Sequence, residues 1–286
     1  ILLFLTVLIQ YFFNTNIFSL DDALRLSFFF ICYLLYYFII ISLTILLSII
    51  FKNTSSSLSV MILIWLLWTI FLPKTIGSFT ESLSPLPTRF ELKKDMKEDR
   101  SKGIDGHNPS DERRARLEEE VLKKYKVDSL SQLPINFSGI LLQADEEYGN
   151  KVWDKHFGNV YHILKQQKKN YQLSGLINPF SSIQSLSMAS CGTDLIHHLD
   201  FLNKAETYRR YFVKKLNDEY TVVSTTGENA YLSNNNFFRS IDDFNYNTPQ
   251  FIPIISYYLL DILFLLLWPF ILIIYIFSKS SKISMS

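Results

Sequence analysis

The run Leu26 to Phe51, LSFFFICYLLYYFIIISLTILLSIIF, holds 26 residues without a charge. A helix rises ~1.5 Å per residue, so this run outreaches a ~30 Å hydrocarbon core. In lipid the backbone must satisfy its own hydrogen bonds, and a run this long does so as a helix. Two further stretches are nearly as apolar: roughly Leu58 to Ile76, which contains VMILIWLLWTIFLP and Lys74 at its far end, and Phe251 to about residue 278, which contains Asp261. The opening ILLFLTVLIQYFF reads as the remainder of another span, over about residues 1–13, with its start missing. A signal peptide would need a basic first region and a cleavage site, and neither is present.

Charge divides the chain in the same way. Of 28 basic and 27 acidic residues, only Asp21, Asp22, Arg25, Lys52, Asp261, Lys279 and Lys282 lie outside residues 74–250. The charged part therefore carries 24 of each sign and no net charge. A nucleic-acid surface needs clustered Lys and Arg to displace counterions, so no nucleic-acid partner is expected. Cys32 sits in an apolar run and Cys191 in the charged part, which gives neither a disulfide framework nor a CxxC metal pair. Lys52, Lys279 and Lys282 fall on one side of the spans, and the positive-inside rule makes that side cytoplasmic. Residues 77–250 are then extracytoplasmic.

Within that part the periodicity is helical. Ser110 is placed to cap DERRARLEEEVLKKYKV, a helix with acids and bases at i,i+4 spacing and few apolar residues. Trp153, Phe157, Val160, Tyr161 and Leu164 fall on one stripe of a second helix. Asn178-Pro179 forms an N-cap and N1 pair opening a helix through Ser190. Asp194 caps a long helix with Phe201, Ala205, Tyr208, Phe212 and Leu216 on one face. No stretch alternates long enough for a sheet, and residues 222–250 read as a loop returning to the membrane. The expected fold is all-α: multi-pass transmembrane helices with an all-α domain inserted before the last span. Its divisions are 1–76 (spans about 1–13, 26–51 and 58–76), 77–250, a final span 251–278, and a cytoplasmic tail 279–286.

Catalytic signatures are scarce. The chain has no GxxxxGK followed by Ser or Thr, no HExxH, no GxSxG and no glycine-rich dinucleotide turn among its nine glycines. Glu147 and Lys151 form an i,i+4 pair on a charged helix face. SLSMASCGTDLIHHLDF, residues 185–201, gathers Met188, Cys191, His197 and His198, ligand types a soft metal accepts. Gly192, Thr193 and the capping Asp194 break the helix between Cys191 and the histidines, however. Adjacent histidines also point about 100° apart on a helix. The stretch reads as a helix junction, with no metal or cofactor. Asp261, inside YYLLDILFLLLWPFILIIYIF, is the one candidate site residue. An ionisable group in a span costs several kcal/mol unless it faces the bundle or water. A helix starting at Phe251 puts it about 15 Å in, at a transport path or a subunit interface.

Residues 21–73, DDALRL through the Trp/Pro span, resemble the later spans of ABC-2-type transporter permeases. ADEEYGNKVWDKHFG, NPFSSIQSLSMASCGTDLIHHLDF and AETYRRYFVKKLNDEY resemble a subgroup with a large extracytoplasmic domain of unknown function between its last two spans. The coupling helix and first two spans of that family are missing here. The resemblance implies an inner-membrane, multi-pass exporter subunit that is not itself an enzyme. Its partners would be a separate ATP-binding-cassette ATPase, which hydrolyses the ATP, and a second permease copy. Nothing in the residues names a substrate. The alternatives are a membrane-anchored binding protein with a helical outer domain, or a metal-handling accessory protein.

Overall fold

The computed structural model describes residues 19–224 and 232–283. Every regular element among the described residues is helical. In chain order these are α1 (Leu20–Ile50), α2 (Thr54–Leu83), α3 (Arg89–Lys102), α4 (Ser110–Tyr125), α5 (Phe137–Gln172), α6 (Pro179–Cys191), α7 (Leu195–Val223), α8 (Asn235–Arg239), α9 (Phe251–Ile255) and α10 (Leu259–Ile283). The expected span over residues 1–13 lies outside the described residues. Among the described residues three helical stretches are long and apolar enough to cross a membrane: Leu20–Ile50, Thr54–Leu83 and Phe251–Ser278.

Each of these outruns its apolar string for a local reason. α1 begins at Leu20 because Ser19 and Asp22 cap each other: the Asp22 N–H donates to Ser19 Oγ, and the Ser19 N–H to Asp22 Oδ2, both at 3.1 Å. α2 passes through Pro73 instead of ending there. Proline has no N–H to give the Thr69 carbonyl, and just before it Leu67–Phe71 widen into a π turn. The helix then continues to Leu83. At the other end, residues 279–283 extend α10 rather than forming a separate tail.

The chain forms two compact units. One comprises Ile1–Ser84, Gln166–His198 and Thr248–Ser286, the other Pro85–Lys165 and Leu199–Asn247. This division differs from the sequence-based cut at 77 and 250, since residues 166–198 cluster with the apolar helices. The physical reason is the small size of α6's side chains. Ser181, Ser182 and Ala189 are fully buried, and Leu186 and Ile183 join the core with Ile39, Tyr258, Leu265 and Leu272. A serine-rich helix scores as polar, yet it lets neighbouring helices approach closely.

In the second unit, α5 and α7 are joined side by side by Arg209 to Glu146 (2.5 Å), Arg210 to Asp154 (2.6 Å) and Asn217 to Gln143 (3.1 Å). The aromatic stripe of α5 stacks on itself, Trp153 on Phe157 at 4.8 Å. That of α7 is covered by the returning segment. Phe244 lies against Phe201 and Tyr208, and the Tyr208 hydroxyl donates to the Asp242 carbonyl at 2.8 Å. α3 is tied down by Asp99, which meets Lys155 at 2.7 Å and His156 at 2.8 Å. α4 starts at Ser110 with extended Pro109 as its cap residue and no side-chain cap bond. The serine therefore stands one position inside the cap expected of it.

Candidate functional site

Two polar constructions converge inside the first unit, and both are built on residues 166–198. The first is at the tip of that segment. α5 ends at Gln172, a 3-10 turn covers Leu173–Leu176, and Asn178 opens α6 by accepting the Phe180 N–H at 3.1 Å. The same Asn178 is fully buried, and its amide donates to the Trp68 carbonyl at 3.0 Å and to Ser181 Oγ at 3.0 Å. That carbonyl is free because of the π turn: the Leu72 N–H bonds Leu67 instead of Trp68. Proline in one helix thus creates the acceptor that an asparagine from another segment fills. Beside it, Trp268 Nε1 donates to the Gly175 carbonyl at 3.0 Å, and Trp68 meets Trp268 edge-on at 5.3 Å. Gly175 must be glycine for this fit, since a Cβ would collide with the Ser182 hydroxyl and press on Phe264.

The second construction is a chain of ionisable side chains. Asp21 Oδ1 accepts the Phe251 N–H at 2.7 Å, and Asp21 Oδ2 holds Arg25 Nε at 2.7 Å. The Arg25 guanidinium also donates to the Pro249 carbonyl at 2.6 Å and lies 3.4 Å from His197 Nε2. A guanidinium beside Nε2 disfavours a proton there, so the geometry fits an imidazole protonated at Nδ1 and donating to Asp194 Oδ1. Asp194 Oδ2 receives the Tyr258 hydroxyl and, at 3.0 Å, the Ile196 N–H that makes it the cap of α7. Lys168 Nζ sits 3.5 Å from the Tyr258 ring centroid. Finally, Gln172 Nε2 donates to Asp261 Oδ2 at 2.5 Å and to the Tyr257 carbonyl at 2.9 Å.

Asp194, His197 and Asp261 are 2%, 3% and 0% exposed, so this is an interior network and not a solvated face. Two of its atoms, Lys168 Nζ and Asp261 Oδ1, are buried with no hydrogen-bond partner. Three carboxylates and two cations around one imidazole come close to balance, which is how buried charge is tolerated. The arrangement holds protons and charge across α1, α5, α7 and α10. It presents no nucleophile beside a base in an open pocket.

Asp261, chosen from sequence as an isolated charge, is surrounded by its own chain. Lys168, Gln172, Asp194, His197 and Tyr258 were not singled out for this role. One signal was available: Asp21 and Arg25 open an apolar helix that could have started without them. The residues of the sulfur and imidazole stretch separate. Cys191 is exposed at the end of α6, Gly192 takes a left-handed φ of 69°, and His197 turns inward while His198 stays exposed. Among the described residues no group of three or more His, Cys, Asp or Glu comes together as a metal cluster.

Residues 89–247 match the family described as "Domain of unknown function (DUF3526)". The chain belongs to that family. No curated protein and no solved structure matches it. The DUF3526 match runs from the start of α3 to residue 247, three residues short of the end of the returning segment. It therefore includes all of α6 and the residues 166–198 that carry both constructions.

Proposed function

We propose that this DUF3526 chain is the membrane-spanning permease subunit of an ABC-2-type exporter. It forms the translocation pathway with a second permease copy and is driven by a separate ATP-binding-cassette ATPase. The observation that carries the reading is the hairpin made by the end of α5, the 3-10 turn and α6, wedged among three helices long enough to cross a membrane. Its tip meets Tyr36 (rings 6.3 Å apart through Phe180), the Trp68 carbonyl and the Trp268 indole. These residues lie about 15 to 17 positions from the same-side ends of their helices, ~25 Å along the axis. In a bilayer the hairpin thus enters from one face, turns near the middle and returns. Leu173, Leu176 and Ile177 at the turn are 53%, 55% and 56% exposed, the composition of a tip that faces lipid. The backbone there is not regular helix, which lipid depth tolerates only where its polar groups find partners. Ile177 N–H and Asn178 N–H both reach the Ser174 carbonyl, at 3.0 and 2.8 Å.

An anchor has no need of a buried ionic network among its helices, whereas a pathway that must open and close uses one. The side bearing Lys52, Lys279 and Lys282 is cytoplasmic, and the DUF3526 region apart from the hairpin, residues 89–165 and 199–247, is extracytoplasmic. The test is coupling to the ATPase. In the reconstituted full-length complex, Asp261→Asn should depress substrate-stimulated ATP hydrolysis by the partner, while Glu147→Gln, on an exposed helix face, should leave it unchanged. Equal activity of the two variants would remove the network from the transport cycle. An ATPase that never associates with the chain would favour the anchored binding protein.

A further inference from the structure

The second unit contains a cleft of about 560 Å³ between α3, α5 and α7. That is within the range of small-molecule sites, ~300–1,000 Å³. One wall is cationic. Lys93, Lys97 and Arg100 stand at i, i+4 and i+7 on α3, and none of their side chains makes a hydrogen bond or ion pair among the described residues. The opposite wall also carries charge, but it is already neutralised. Arg209 there is bonded to Glu146 at 2.5 Å and to Glu206 at 2.8 Å. Between the walls lie Met96, Val152 and Trp153. Val152 is 1% exposed, and Trp153 is fixed by Phe157, stacked at 4.8 Å and 14°, and by the Arg210 guanidinium 5.5 Å from its ring. Gly149 completes the cationic wall. A Cβ at that position would collide with Arg100 Nη2, so its absence lets the guanidinium lie along α5.

Three unpaired cations facing a rigid apolar floor ask for a ligand that brings both an anion and an apolar body. We infer that this cleft binds a small organic anion with a flat apolar or aromatic body, its acid group on Lys93, Lys97 and Arg100 and its body against Trp153 and Met96. Bare inorganic anions satisfy only the wall, and neutral aromatics only the floor. Every residue lining the cleft belongs to the second unit.

The probe is 1-naphthyl phosphate, titrated by calorimetry into the full-length chain in nanodiscs of zwitterionic lipid. Inorganic phosphate and the neutral 1-naphthyl glucoside serve as comparisons. The phosphate ester should bind about tenfold or more tightly than either, because each lacks one of the two contacts. Lys93→Gln with Lys97→Gln should weaken it about tenfold or more, while Lys94→Gln, on the same helix but not lining the cleft, should leave it unchanged. All three lysines are exposed, so these changes do not threaten the fold, and unchanged circular dichroism would verify that. The proposal fails if the glucoside binds as tightly as the phosphate ester. It fails equally if the ester binds no better than inorganic phosphate, or if the double variant retains wild-type affinity.

Discussion

At the residue scale, Asp261 and Asn178 are both fully buried polar side chains, the first with one side-chain hydrogen bond and the second with three polar partners. Asp261 is fully buried and receives one side-chain hydrogen bond, from Gln172 at 2.5 Å. Gln172→Leu removes that donor while keeping bulk, leaving a carboxylate buried without its amide. The full-length chain should lose about 2–4 kcal/mol in detergent unfolding, and Asp261→Asn combined with Gln172→Leu should recover part of it. A double variant no more stable than Gln172→Leu alone would mean the pair is not coupled. Asn178 satisfies three groups at once: the Trp68 carbonyl, Ser181 Oγ and the Phe180 N–H. Asn178→Ala removes a helix cap and strands a buried carbonyl, together worth about 2–4 kcal/mol. Pro73→Ala allows α2 to close its regular ladder, which makes the Trp68 carbonyl less available. A thermal melt of Asn178→Ala in the Pro73→Ala background should therefore show a smaller loss than in the wild type.

At the element scale, the ion pairs between α3, α5 and α7 set an acid limit on the second unit. Burial by itself raises the Glu206 carboxyl, but hydrogen bonds from Arg209 and Arg210 outweigh it and hold the group below the ordinary 4.5. Asp99 follows the same pattern: burial raises it, and Lys155 and His156 bring it below 3.8. A carboxylate with a depressed folded pKa stabilises above its unfolded value and loses that contribution as pH falls through the folded one. These pairs should therefore be intact above about pH 4.5 and fail progressively below about pH 4. Melts followed by circular dichroism across that range should show a steep loss for the wild type. Glu206→Gln should start about 1–3 kcal/mol less stable, between the values for exposed and buried pairs, with a shallower acid slope. An unchanged slope would show that Glu206 contributes nothing to the limit.

At the scale of the whole molecule, the two compact units divide the labour between an apolar bundle with an ionic interior and a charged helical body with a cleft. The chain carries its own probe of sidedness. Cys191 is exposed at the end of α6 and Cys32 is buried in α1. An impermeant maleimide applied to intact cells should label Cys191, and a cysteine introduced at Ser110 should behave like it. One at Ser280, in a chain with Cys191→Ser, should react only after the cells are opened. Labelling at Ser280 alone in intact cells would invert the topology.

Much of this was legible from residues alone, wherever structure depends on near neighbours. Apolar strings longer than a bilayer is thick can only be helices, and three of them are. Asn178-Pro179 starts α6 and Asp194 starts α7, because a cap needs nothing beyond the next few residues. Gly192 breaks the metal-like stripe for an equally local reason, its left-handed φ of 69°. The tertiary structure alone decided where residues 166–198 belong, since the small volume of Ser181, Ser182 and Ala189 matters only when other helices press against them. It decided as well that Lys168, Asp194, His197 and Tyr258 meet. Asp194 and His197 are one turn apart, but Lys168 and Tyr258 come from segments far from them in sequence, so no period or spacing connects the three, and each has an ordinary local reading of its own. Short-range geometry is written in the order of the residues. The pairing of buried charges is settled only when the helices have packed and water has left, because only then does an unpartnered charge become costly.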